Sequence, residues 1–113
     1  MKASVTVKKN HEFRRIYRRG ASAVAPCLVM YCRRNPTGAS RLGITVSTKV
    51  GKAVVRNLVR RRLREIYRLT PPKSGYDVIL VARKRAAFVS YHKLAGAYRE
   101  LLEKLALLRE ESL

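Results

Sequence analysis

Apolar side chains at Phe13, Ile16 and Tyr17 follow an i, i+3, i+4 spacing, between a capping Asn10 and a terminating Gly20. That pattern predicts a short helix over about 11–19, whose other face carries Arg14, Arg15, Arg18 and Arg19. Cys27 to Cys32 is apolar at every position, which predicts a strand buried on both faces. After the turn chemistry of Asn35-Pro36-Thr37-Gly38, residues Leu42 to Thr48 alternate large with small or polar and predict a second strand. The short link between these strands suggests a hairpin. Lys52 to Leu69 contains no Gly or Pro and predicts a helix of about 27 Å. Tyr76 to Arg83 (Y-D-V-I-L-V-A-R) reads as a strand. Ser90 can cap a last helix with Leu94, Ala97, Tyr98, Leu101, Leu102, Leu105 and Leu108 along one side.

The order α-β-β-α-β-α, with a further short strand near 21–25, predicts an α+β sandwich forming a single domain over residues 1–113. Helices pack on a mixed sheet, and residues 1–9 stand apart as a candidate flexible tail. A helix joining two strands of one sheet implies a crossover, right-handed by the general rule. A radius of gyration of about 13 Å is expected. No apolar run approaches the roughly 20 residues of a membrane span, and the N-terminus M-K-A-S-V-T-V-K-K-N lacks the apolar region of a secretory signal. Cys27 and Cys32 cannot pair across an extended stretch of about 16 Å, and two unpaired thiols suit a reducing cytoplasm. A zinc site would have to recruit His11 or His92 as well.

Charge sharpens the picture. The 113 residues carry 26 Lys or Arg against 7 Asp or Glu, a net +19, while 47% hydrophobic content is enough to order a chain. A globule this small with that charge repels itself and is expected to work bound to a polyanion. Residues 1–85 hold 22 of the basic residues against Glu12, Glu65 and Asp77; residues 86–113 hold four of each sign. The binding surface therefore belongs to the first three quarters of the chain.

The 52–69 helix is the informative element. On a 100° wheel Val55, Leu58, Val59, Leu63, Ile66 and Leu69 fall in one arc, the core side. Asn57, Arg60, Arg61, Arg64 and Arg68 cluster opposite, with Arg56 at their edge. Arg62 falls inside the apolar arc and has to snorkel to its margin. A merely solvated face mixes signs, because opposite charges at i, i+4 are favourable and like charges are not. Six arginines and one acid over 56–68 instead point to phosphate binding. The planar guanidinium suits forked contacts to phosphate and stacking on bases.

The segment K-V-G-K-A-V-V-R-N-L-V-R-R-R-L-R-E, residues 49–65, resembles the arginine-asparagine signature of the protein subunit of bacterial ribonuclease P. The likeness spans almost the whole chain: the opening N-x-x-F-x-x-x-Y-x-x-G (Asn10, Phe13, Tyr17, Gly20), R-L-G-I-T-V-S-T-K-V running into the signature, and Y-D-V-I-L-V-A-R before a closing helix. Leu58 departs from the pattern, standing where the family often has another Arg.

The resemblance implies a protein that assists a catalytic RNA in removing the 5′ leader of precursor tRNA. The RNA and its bound Mg²⁺ carry out the hydrolysis, and no catalytic residues are expected in this chain. It implies that Lys49, Lys52, Arg56, Asn57, Arg60, Arg61, Arg64 and Arg68 meet the catalytic RNA. Phe13, Tyr17 and Tyr31, with Arg56 and Asn57 nearby, would hold the single-stranded leader. It also implies a left-handed crossover, against the general rule. Aromatic platforms beside a basic track are what single-stranded RNA requires.

Three rivals fit less well. A protein-only nuclease needs an acid, a base or metal carboxylates, whereas Glu100, Glu103, Glu110 and Glu111 sit in the tail and His11 and His92 stand near helix starts. A small basic ribosomal protein, or another structural RNA-binding protein, is the alternative class; it needs no aromatic groove for a mobile strand. A helix-turn-helix DNA binder is disfavoured by strands on both sides of the arginine helix. The sequence implies no particular oligomeric state.

Overall fold

The computed structural model describes residues 5–6 and 10–109. In chain order these form β1 (Val5–Thr6), α1 (Asn10–Arg19), β2 (Ala21–Val24), β3 (Leu28–Arg34), β4 (Arg41–Thr45), α2 (Ala53–Leu69), β5 (Tyr76–Ala82) and α3 (Tyr91–Lys104). Two 3₁₀ turns, Thr48–Val50 and Lys84–Ala87, follow β4 and β5 respectively. The α-β-β-α-β-α order and the short strand after α1 are as expected.

The sheet order is β1-β4-β5-β3-β2. β5 lies between β3 and β4, antiparallel to the first and parallel to the second. The expected hairpin of 27–32 with 42–48 is therefore absent: the two strands run antiparallel but one strand apart. The physical reason is the composition of β5. Val78, Ile79 and Leu80 are fully buried on alternating faces, so this strand belongs at the sheet centre with both edges paired. The six-residue link 35–40 easily steps over the roughly 10 Å between next-nearest strands. Asn35 ties that link to the chain entering β5, donating its backbone N–H to the Gly75 carbonyl at 2.8 Å.

Smaller differences have local causes. β4 stops at Thr45 rather than Thr48, because the Ser47 hydroxyl accepts the Lys49 N–H and turns the chain into the 3₁₀ segment. Part of the candidate tail is strand: Val5 and Thr6 pair parallel with Arg41 and Leu42, while residues 1–4 and 7–9 lie outside the described residues. α3 ends at Lys104 in a Schellman motif, with Ala106 at φ 58° and bonds from Ala106 N–H to Glu103 and Leu107 N–H to Leu102. Leu107 is consequently buried where the helical pattern placed Leu108.

α2 and α3 cover one sheet face. There Val59, Leu63, Ile66 and Tyr67 of α2 and Leu94, Tyr98, Leu101 and Leu102 of α3 join Leu28, Met30, Val78 and Leu80 in one core. Tyr98 enters that core because its hydroxyl donates to the Thr70 carbonyl at 2.7 Å. α1 covers part of the opposite face, where Ile16 packs on Ile79 with Phe13, Tyr31 and Val81 around them. Cys27 and Cys32 are free and buried, and burial raises both thiol pKa values. The Cα radius of gyration is 13.3 Å. Among the described residues no helix is long and apolar enough to cross a membrane.

Candidate nucleic-acid interface

α2 separates its two faces as the wheel predicts, with two exceptions: Leu69 is 58% exposed, beyond the edge of the core, and Leu58 is half-buried outside the core cluster. Arg61, Arg64, Arg68 and Asn57 are exposed, as are Lys49 and Lys52 just before the helix. Arg56 and Arg60 are half-buried and tied to the chain leading into α2. Arg56 Nε donates to the Gly51 carbonyl at 3.1 Å; Arg60 donates to Asn57 Oδ1 at 3.3 Å and to the Val46 carbonyl at 3.4 Å. These bonds hold two guanidinium stems in place while the other cations stay solvated. Arg62 does snorkel, reaching the Val89 carbonyl at 3.4 Å. Arg68 forks onto Glu65 at 3.1 and 2.6 Å, and that hydrogen bonding lowers the Glu65 carboxyl pKa and raises that of Arg68. The pair relieves some of the like-charge repulsion along the helix.

The three aromatic candidates come together although α1 and β3 supply them separately. Tyr17 and Tyr31 meet edge to face with centroids 4.7 Å apart, and Phe13 stands 6.2 Å from Tyr17. Tyr17 is 38% exposed, whereas Phe13 and Tyr31 are half-buried against Ile16 and Ile79. Phe13 thus both packs in the small core and presents an edge outward. A groove of about 450 Å³ runs here, lined by Asn10, Phe13, Arg14, Tyr17 and Thr45. Arg56 and Asn57, expected at the same place, make their hydrogen bonds within their own segment, to Gly51 and from Arg60.

Arg14 and Thr45 line the groove without having been singled out from the sequence. Arg14 had a visible signal, a cation one position from Phe13. Thr45 had none, since only the sheet register brings β4 under α1.

A further cluster fixes α1 against the sheet. Arg41 donates to Asp77 at 2.8 and 2.7 Å and to Glu12 of α1 at 2.9 Å, while Asn35 Nδ2 donates to Asp77 at 2.9 Å. Asp77 is the buried charged side chain among the described residues, at 5% exposure. Its hydrogen bonds, and then that of Glu12, push the Arg41 pKa further up. Among the described residues no group of three or more His, Cys, Asp or Glu is placed to hold a metal ion. Glu12 and Asp77 are both engaged by Arg41.

The Ribonuclease P family profile matches residues 1–106. The ribonuclease P protein component of Natranaerobius thermophilus is 43% identical over 112 residues, covering 97% of each chain. That of Thermoanaerobacter pseudethanolicus is 42% identical over 105 residues, covering 91% of this chain and 90% of its own. Among solved structures, the Staphylococcus aureus RNase P protein superposes with a TM-score of 0.84 at 30% identity, over 94% of this chain and 99% of that one. The Thermotoga maritima RNase P protein gives 0.76 at 30% identity, over 88% and 96%. The signature on α2, the fold and these relatives agree: the chain belongs to the ribonuclease P protein-component family.

Proposed function

We propose that this chain binds the RNA subunit of ribonuclease P through the α2 face and holds the 5′ leader of precursor tRNA in the α1–β3 groove. The reading is supported above all by the aromatic groove itself: Tyr17, partly exposed and 4.7 Å from Tyr31, stands with Phe13 and Arg14 in a groove of about 450 Å³. Stacked bases would gain about 1–3 kcal/mol each there, with a cation beside them for the phosphates. Lys49, Lys52, Arg60, Arg61, Arg64 and Arg68 take phosphates of the folded RNA. Arg56 and Asn57 sit in the first turns of α2, the helix that follows β4, whose Thr45 lines the groove.

Positioning is the contribution of this chain: it raises the local concentration of the leader at the catalytic RNA. The Mg²⁺ that assists leader hydrolysis is assigned to the RNA, and no step is routed through side chains of this protein. Reconstitution with the cognate catalytic RNA tests the reading. Tyr17→Ala and Tyr31→Ala should weaken binding of leader-bearing precursor tRNA more than of mature tRNA. Equal losses for the two substrates would remove the leader groove from the account.

A further inference from the structure

Phe88 is 86% exposed, the most exposed large hydrophobic side chain among the described residues. Single exposed apolar residues are ordinary, so its surroundings decide whether it matters. Its backbone is well held: Phe88 closes the Lys84–Ala87 turn, its N–H donating to the Arg85 carbonyl at 2.9 Å. That turn packs on α2 and on the Thr48–Val50 turn, and the carbonyl of the next residue, Val89, accepts from Arg62. Along α2, Val54 and Leu58 precede Arg62 at four-residue spacing, and Val54 is 80% exposed. Phe88 and Val54 are thus two strongly exposed apolar side chains, carried by elements that pack against each other.

The segment that carries Phe88 is cationic, with Lys84 and Arg85 exposed in the turn just before it. Between Asp77 and Glu100 the chain has no acid, yet it holds Arg83, Lys84, Arg85, Lys93 and Arg99. A second copy of this chain, itself carrying +19, would be repelled. A polyanion would be attracted, and an exposed ring beside Lys84 and Arg85 fits an unpaired base whose phosphates face those cations. The Phe13–Tyr17–Tyr31 groove lies on the opposite sheet face, the one covered by α1, so this is a separate platform.

We infer that Phe88 stacks on an unpaired nucleobase of the catalytic RNA, with Arg62, Lys84 and Arg85 at the adjoining phosphates. The inference rests on the reading that α2 docks on that RNA.

The chain contains no Trp, so Phe88→Trp introduces a single fluorophore. Titrated with catalytic RNA alone, F88W should bind like the parent and be quenched, while F88A should bind about tenfold more weakly. F88K separates stacking from charge, since it adds a cation and removes the ring; it should lose affinity as F88A does. Circular dichroism should show all three variants folded, because the side chain is exposed. F88K binding as tightly as the parent, or an unquenched F88W in a formed complex, would overturn the inference. Quenching only when precursor tRNA is added, or only with phosphatidylglycerol vesicles, would overturn it in favour of those partners. If the parent chain fails to bind catalytic RNA, the functional reading falls first and this inference with it.

Discussion

Replacing Arg41 with Met tests the account of how α1 is held. Arg41 makes two hydrogen bonds to Asp77 and one to Glu12, with side-chain exposures of 25% for Arg41, 7% for Asp77 and 24% for Glu12. Without the guanidinium, Asp77 stays buried with the Asn35 amide as its remaining side-chain donor among the described residues. Breaking a buried pair from one side costs about 3–5 kcal/mol. The open flank of Arg41 places this case near the lower end, about 3 kcal/mol. The Glu12 arm is a quarter exposed at each end, and water reaching both partners keeps its contribution below about 1 kcal/mol. With a urea slope of about 1.5 kcal/mol/M, Arg41→Met should lower the unfolding midpoint by about 2 M. Glu12→Gln should shift it by less than about 0.7 M. Adding Asp77→Leu to Arg41→Met should recover most of the loss, since it removes the stranded charge. Urea titration followed by circular dichroism gives all four midpoints. A shift under about 0.5 M for Arg41→Met, or a double variant no better than the single, would refute the reasoning.

Gly20→Ala would drive a methyl group into the Cys32 carbonyl oxygen and place it 2.6 Å from that of Ile16, both backbone atoms. A loss of about 3 kcal/mol is expected in thermal denaturation, and an unchanged Tm would count against the close α1–β3 approach. Ala106→Gly should gain about 0.5–1 kcal/mol by relieving the positive φ, net of the entropy a glycine brings to the unfolded chain. Loss of stability in the same urea assay would argue against the Schellman ending. If about five phosphates meet the α2 face, log K for RNA against log salt should have a slope near −3.5 to −4.5, and a slope near −1 would eliminate that face. Burial raises the Cys27, Cys32 and Tyr98 pKa values, so the folded state holds these protons more tightly than the unfolded one. The resulting stabilisation is present at neutral pH and is lost as pH rises past the unfolded values of about 8.5 and 10. Urea stability should therefore be lower at pH 10.5 than at pH 7.5, and a flat profile would contradict that burial.

Local pattern carried most of the elements but not their arrangement. The α2 faces were readable because helical period and charge coincide there, and even the misfit Arg62 resolved as a snorkel to Val89. The β3–β4 pairing was misread because short links favour hairpins, while the preference of Val78–Leu80 for the sheet centre acts between segments far apart in sequence. The groove was half legible. Phe13 and Tyr17 share a helix face, but Tyr31 and Thr45 reach them only through sheet register, which no local spacing encodes. Phe88 escaped notice because exposure is a property of the turn that carries it, and the charge count assigned its region to a neutral tail.

The central place of β5 also governs the order in which the molecule can assemble. Before residues 76–82 exist, the chain can form two separate ribbons, β2 with β3 and β1 with β4, and nothing in the sheet joins them. The arginine-rich helix, complete at Leu69, precedes the strand that unites the surface it packs on. Vectorial synthesis therefore delivers the most cationic segment before its apolar face has a finished bed. Non-local closure of this kind is slow relative to helix formation. A nascent chain halted short of Ala82 would hold a charged, half-supported helix among the polyanions of the translating ribosome.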